Sequence, residues 1–156
     1  MVKQDAMDSR PAETVVIEIC CLVIIAALVL GVGLATDLVL RHIVQTGPLW
    51  ISVILGFRHS RVTAWAALPL FLIWLVLMTL IWLYLLRISN LISGHFAPVE
   101  IAMTIIVGAA AIIGIGGFIR FKSSLSTIAA GSLFVLMAVL QLACLRISFL
   151  PAIANR

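Results

Sequence analysis

The chain has 156 residues, of which 64% are hydrophobic and 10% charged; a soluble domain carries about 45–50% apolar and about 25% charged residues. A single domain of this length cannot hide so much apolar surface from water, which leaves a lipid bilayer as its solvent. The formal charge of +4 does not point to nucleic acid, because the basic residues stand singly or in pairs at the ends of apolar runs, where membrane helices meet lipid headgroups.

Met1 to Glu13 reads as a polar tail of mixed charge. The apolar run that follows is too long for the core of a signal peptide and has no small-residue cleavage site after it, so it is expected to stay as an anchor. It covers residues 14–40, broken only by Glu18 and Asp37, and Arg41 and His42 end it. At about 1.5 Å per residue this first span exceeds a hydrocarbon core of about 30 Å. Residues 47–57, GPLWISVILGF, form a short apolar run that is too short to cross. It is expected to lie in the interface with Trp50 as an anchor, or to dip in and return.

The second span is predicted over residues 63–86, with Pro69 freeing the carbonyl of Trp65. Trp65 near one end and Trp82 and Tyr84 near the other match aromatic belts. The third is predicted over 96–119, with Pro98 in its first turn, and the fourth over 125–145, with Ser123 or Ser124 as a cap. Residues 147–156 form the C-terminal tail. The expected fold is therefore an all-α integral membrane protein, four transmembrane helices in an antiparallel bundle with both termini on one side. The basic residues divide evenly between the two sides and do not orient it.

In lipid, helices associate through close packing and polar contacts rather than the hydrophobic effect. Ala27, Gly31 and Ala35 recur at four-residue spacing, and Ala110, Gly114 and Gly117 share a face of the third span. Both faces are expected to be packing surfaces, within the bundle or between protomers. Gly31-Val32-Gly33 lies mid-helix with no strand before it, so it is not a nucleotide loop.

Ionisable groups at membrane depth mark functional positions by default. Asp37 precedes Arg41 by four residues, the favourable order for a helical ion pair. Glu100 stands in the first turn of the third span, where an acid meets the positive end of the helix dipole, with His95 close by. Glu18 lies about a turn inside the first span, on the side of Arg87, His95, Glu100 and Arg146, and is the best candidate for a buried functional carboxylate. Arg41, Arg58, Arg61, Arg120 and Lys122, with His42 and His59, form a cationic side suited to lipid headgroups or other anions. The histidines lie outside the spans, so haem is not expected. Cys20, Cys21 and Cys144 have neither zinc nor redox spacing and are expected to pack as small apolar residues. No catalytic residue, metal or cofactor is expected.

The run WLVLMTLIWLYLL over 74–86, the loop ending in Gly94-His95 and the run PVEIAMTIIVGAAAII over 98–113 resemble the phosphate-starvation-inducible membrane protein family, PsiE. The resemblance covers Leu70 to Leu145 and implies a stress-linked bacterial inner-membrane protein, with both termini cytoplasmic and no defined reaction. Two positions depart from the pattern: Val76 stands where the family often has Glu, and Gly114 where it often has Arg.

The function expected from these features is that of a non-enzymatic accessory, structural or regulatory subunit of a membrane assembly, partnered by the bilayer and by other membrane subunits or itself. The alternative is a small oligomeric transporter or channel that uses Glu18, Asp37 or Glu100.

Overall fold

The computed structural model describes residues 12–58, 62–91, 96–122 and 124–154. Among these residues the chain is all-helical. Helix α1 (Ala12–Ala26) continues as a π-helical stretch (Ala27–Gly33); α2 (Val39–Phe57), α3 (Thr63–Leu85), α4 (Pro98–Arg120), α5 (Thr127–Ser148) and the single turn α6 (Pro151–Ala154) follow. Four helices are long and apolar enough to cross a membrane: Ala12–Gly33, Thr63–Leu85, Pro98–Arg120 and Thr127–Ser148. This supports a multi-pass membrane protein.

Local chemistry sets the helix ends. The first span stops earlier than the apolar run suggests, because Asp37 turns to φ 55° and Leu38 N–H reaches back to the Gly33 carbonyl at 3.0 Å. Arg87 does the same after α3, with φ 59° and Ile88 N–H donating to the Leu83 carbonyl at 2.9 Å. Both are left-handed C-terminal caps, a place usually taken by Gly or Asn. Pro98 opens α4, where its missing N–H costs nothing. The N-cap of α5 is Ser126, not Ser124, and its hydroxyl accepts from Ala129 N–H at 3.3 Å; Ser123 lies outside the described residues. Pro69 is buried within α3.

Residues 47–57 are not a separate short element. They are the second half of α2, a 19-residue helix that begins at Val39. Its buried residues are His42, Gln45, Thr46, Pro48, Leu49, Ser52, Val53 and Gly56, which follow one another at the three- and four-residue steps of a single helix face. That face packs against α1, α3 and α5. The opposite face, with Leu40, Ile43, Trp50, Ile51, Ile54 and Phe57, is exposed.

Side-by-side contacts give the direction of each helix. Gly56 near the end of α2 meets Glu18 near the start of α1, while Gly33 at the end of the π-helical stretch meets Val39 and His42 at the start of α2. Gly31 meets Met103, and Gly117 meets Ile17 and Val16, so α4 runs antiparallel to α1. Gly114 against Phe71 and Gly108 against Met78 make α3 antiparallel to α4. Gln45 of α2 bonds to Ser148 at the end of α5. Five helices thus alternate in direction, and Ala12 and Ser148 lie at opposite ends of the molecule. The four long apolar helices are those expected, and α2, packed among them, adds one more reversal of direction. The common core holds Ile17, Ile24, Leu49, Leu70, Phe71 and Val107.

Candidate functional site

The buried polar side chains gather where α2 meets α5. Gln141 and Ser148 on α5 and Thr46 on α2 are fully inaccessible, and Gln45 is 6% exposed. Gln45 Nε2 donates to Ser148 Oγ at 3.0 Å, and Ser148 Oγ donates to the Leu145 carbonyl at 2.7 Å. Gln141 Nε2 donates to the Gln45 carbonyl at 2.9 Å. A backbone carbonyl has two lone pairs, so this one can take the side-chain amide in addition to a helical donor; the carbonyl that Pro48 deprives of its donor is that of Val44, four residues earlier. Thr46 Oγ1 donates to the His42 carbonyl at 2.9 Å, and His42 Nδ1 donates to the Leu38 carbonyl at 2.9 Å. Cys144 faces Gly47 in the same seam. Ser52 Oγ and Gln141 Oε1 are buried without a hydrogen-bond partner among the described residues.

One end of the molecule carries a cluster of charges. Ala97 N–H donates to Glu100 Oε2 at 2.6 Å, so Glu100 closes the first turn of α4. Its carboxylate also acts electrostatically on Arg41 and His42 at the start of α2. The Arg41 guanidinium lies over the Phe149 ring, 4.3 Å from its centroid. Asp37 and Arg41 do not form the expected helical pair, because Asp37 is in the turn before α2 and exposed, and the two residues share no helix. His42 lies outside the four long apolar helices, as expected, but it is a buried residue of α2 rather than of a loop.

Glu18 lies at the other end of the molecule. It is 5% exposed, packed against Gly56 and engaged in a further polar or electrostatic interaction. It is therefore on the opposite side from Arg87, Glu100 and Arg146, not the same side, since the reversal made by α2 moves all three to the far end. The expected cationic side divides for the same reason. Arg58 at the end of α2, and Arg120 and Lys122 at the end of α4, are exposed at the Glu18 end, whereas Arg41 is with Glu100. Arg61, His59 and His95 lie outside the described residues.

The small residues lie inside the chain. A Cβ at Gly31 would come within 2.6 Å of Met103 Sδ, and one at Gly114 would overlap the Phe71 ring. Gly117 sits on Ile17 at 3.3 Å, and Ala27 and Ala110 are buried. Ala35 is exposed, because the π-helical turn and its end rotate it off the line that four-residue spacing would give. Val76, 57% exposed, and Gly114, buried against Phe71, do not share a surface in this chain.

The aromatic ends are braced by ring contacts, Trp65 edge-on to Phe118 at 4.9 Å and Tyr84 tilted against Phe96 at 6.0 Å. Cys20 and Cys21 are buried free thiols. Among the described residues, no three His, Cys, Asp or Glu side chains are gathered as they would be around a metal ion.

No family model, curated protein or solved structure matches the chain. Its own geometry therefore has to carry the functional argument. The seam of Gln45, Thr46, Ser52, Gln141 and Ser148 was missed by reading the sequence for charges alone. Part of its signal is present in the sequence, where His42, Gln45, Thr46 and Ser52 fall at three-, four- and seven-residue separations that place them on one helix face.

Proposed function

We propose that this chain is a non-enzymatic multi-pass membrane protein that serves as an accessory, structural or regulatory subunit of a membrane assembly. The observation that carries this is the outer face of α5. Only 17% of its spanning window is buried, against 50% for Ala12–Gly33. A shallow groove follows that face, lined by Thr127, Gly131, Ser132, Val135 and Val139 among others. At Gly131 nothing stands within 4 Å of where a Cβ would be. Small and hydroxyl-bearing residues on a lipid-facing helix let another helix approach closely and bond across the contact. Gly31, Gly114 and Gly117 are already used within the chain, whereas Gly131 on α5 and Gly116 on α4 are open; α5 is the least covered of the four long apolar helices, and its face is the one proposed for a partner helix, from another subunit or a second copy. The PsiE-like runs over 74–86 and 98–113 add a stress-linked bacterial inner-membrane setting to the proposal.

The test is Gly131→Leu in protein extracted from native membranes in mild detergent. Loss of a larger complex on native gels with an unchanged thermal midpoint supports the proposal. A complex that survives the change rules out this face.

A second reading, a small oligomeric transporter or channel, is favoured by one observation: the buried Ser52 Oγ and Gln141 Oε1, which have no hydrogen-bond partner among the described residues. Such groups suit water or a small polar solute within the bundle. Uptake into proteoliposomes that persists when Glu18, Asp37 and Glu100 are all neutralised would count against carboxylate-driven transport.

A further inference from the structure

α2 is not among the four helices whose average apolarity suffices for a span, yet its placement is that of one. Its 19 residues rise about 28 Å at about 1.5 Å each, close to the hydrocarbon thickness of about 30 Å. It runs beside the whole of the first span, with Val39 and His42 at Gly33 and, at the other end, Gly56 at Glu18. If Ala12–Gly33 crosses the bilayer, a helix lying against it from end to end crosses too.

The distribution of polarity agrees. A helix lying in the membrane interface turns its apolar face to the acyl chains and its polar face to water. α2 turns its polar face, with His42, Gln45, Thr46 and Ser52, into the protein and satisfies most of it against α5 and its own backbone. Its exposed face is apolar along its length, from Leu40 and Ile43 through Trp50 and Ile51 to Ile54 and Phe57. That surface lies at the same depth as the exposed apolar residues of the neighbouring spans, among them Ile19, Leu22 and Leu30 on the first and Val139 and Leu142 on α5. Acyl chains suit such a belt wherever a partner helix does not cover it. The average apolarity of α2 is low because its inner face is polar, and that inner face never meets lipid.

We propose that α2 is a fifth membrane-spanning helix whose outer face contacts lipid acyl chains, and that the start of α1 and the end of α5 therefore lie on opposite sides of the membrane. Among the described residues the number of crossings is then odd, and the α1–α2 and α2–α3 connections face different compartments.

The test uses the full chain in sealed membrane vesicles of both orientations. Single cysteines introduced by Asp37→Cys and Arg58→Cys are treated with a membrane-impermeant maleimide, the native thiols serving as the unmutated control. The expected result is reciprocal labelling: one site reacts in right-side-out vesicles, the other in inverted ones. Labelling of both from the same face overturns the proposal. Because Asp37→Cys alters a left-handed turn, a second measurement uses unmutated protein carrying a protease-cleavable tag at each end. One tag cleaved and the other protected supports five crossings, and both cleaved or both protected in sealed vesicles overturns it.

Discussion

Gly56 lies directly against Glu18, so that a Cβ at Gly56 would occupy the space of the Glu18 carboxylate. This contact fixes the end of α2 to the start of α1 and keeps a carboxylate buried at 5% exposure. Gly56→Ala should destabilise the fold by about 1–3 kcal/mol, the usual cost of overpacking. Thermal unfolding in detergent measures it. The Glu18→Ala/Gly56→Ala pair should be non-additive, since Glu18→Ala removes the carboxylate that the new Cβ of Gly56→Ala would strike; additive losses would mean the two residues do not touch.

The α2–α5 seam makes a second prediction. Hydrogen bonds between membrane helices are worth about 0.6 kcal/mol on average and about 1.7 at most. A double-mutant cycle on Gln45 and Ser148, joined at 3.0 Å, should return a coupling in that range. Gln141→Leu should cost no more than this, because it removes the bond to the Gln45 carbonyl together with an Oε1 that has no partner among the described residues. A loss of several kcal/mol at Gln141 would show that the seam holds more than these bonds.

How much of this was legible in the sequence depends on which face of a helix meets lipid. Where all faces are apolar, as from Thr63 to Leu85 or Pro98 to Arg120, a hydropathy window finds the helix, and Arg87, Arg120 and Arg146 mark the ends. The Pro98 and Glu100 pair also shows where α4 begins. α2 escapes because His42, Gln45, Thr46 and Ser52 lower its average, and Arg41 and His42 look like the end of a span. Pro48 adds to the impression of a break, although α2 continues through it. Two corrections follow from that one helix, the placing of Glu18 and the grouping of Arg41 with Arg58 and Arg120; on the proposal that α2 crosses the membrane, the ends of the bundle part company for the same reason. Asp37 misled for a different reason. Its spacing to Arg41 is helical, but its φ of 55° ends one helix before the next begins, and no spacing rule reveals a left-handed residue that is not glycine.

Glu100 gives a third prediction. It accepts from Ala97 N–H at 2.6 Å and also acts on Arg41 and His42. Glu100→Ala should cost about 1 kcal/mol through the lost capping contact. Glu100→Gln keeps an oxygen for Ala97 and loses the charge, so its smaller loss isolates the electrostatic share. Equal losses for the two variants, read from thermal midpoints, would assign the whole effect to charge.

The glycines separate fold from assembly. Gly114→Leu must displace the Phe71 ring, so it should unfold the protein or lower its melting temperature sharply. Gly131→Leu projects into open space and should leave the melting temperature unchanged. A similar melting loss for both would mean that α5 is covered within the chain itself.

The claim that this chain works as part of a larger membrane assembly is tested most directly by native mass spectrometry of protein purified gently from its own membranes. The account predicts a defined complex heavier than a single chain, with another subunit or further copies bound, and its loss in Gly131→Leu. A single chain carrying only lipid, under conditions that keep other membrane complexes intact, would contradict it.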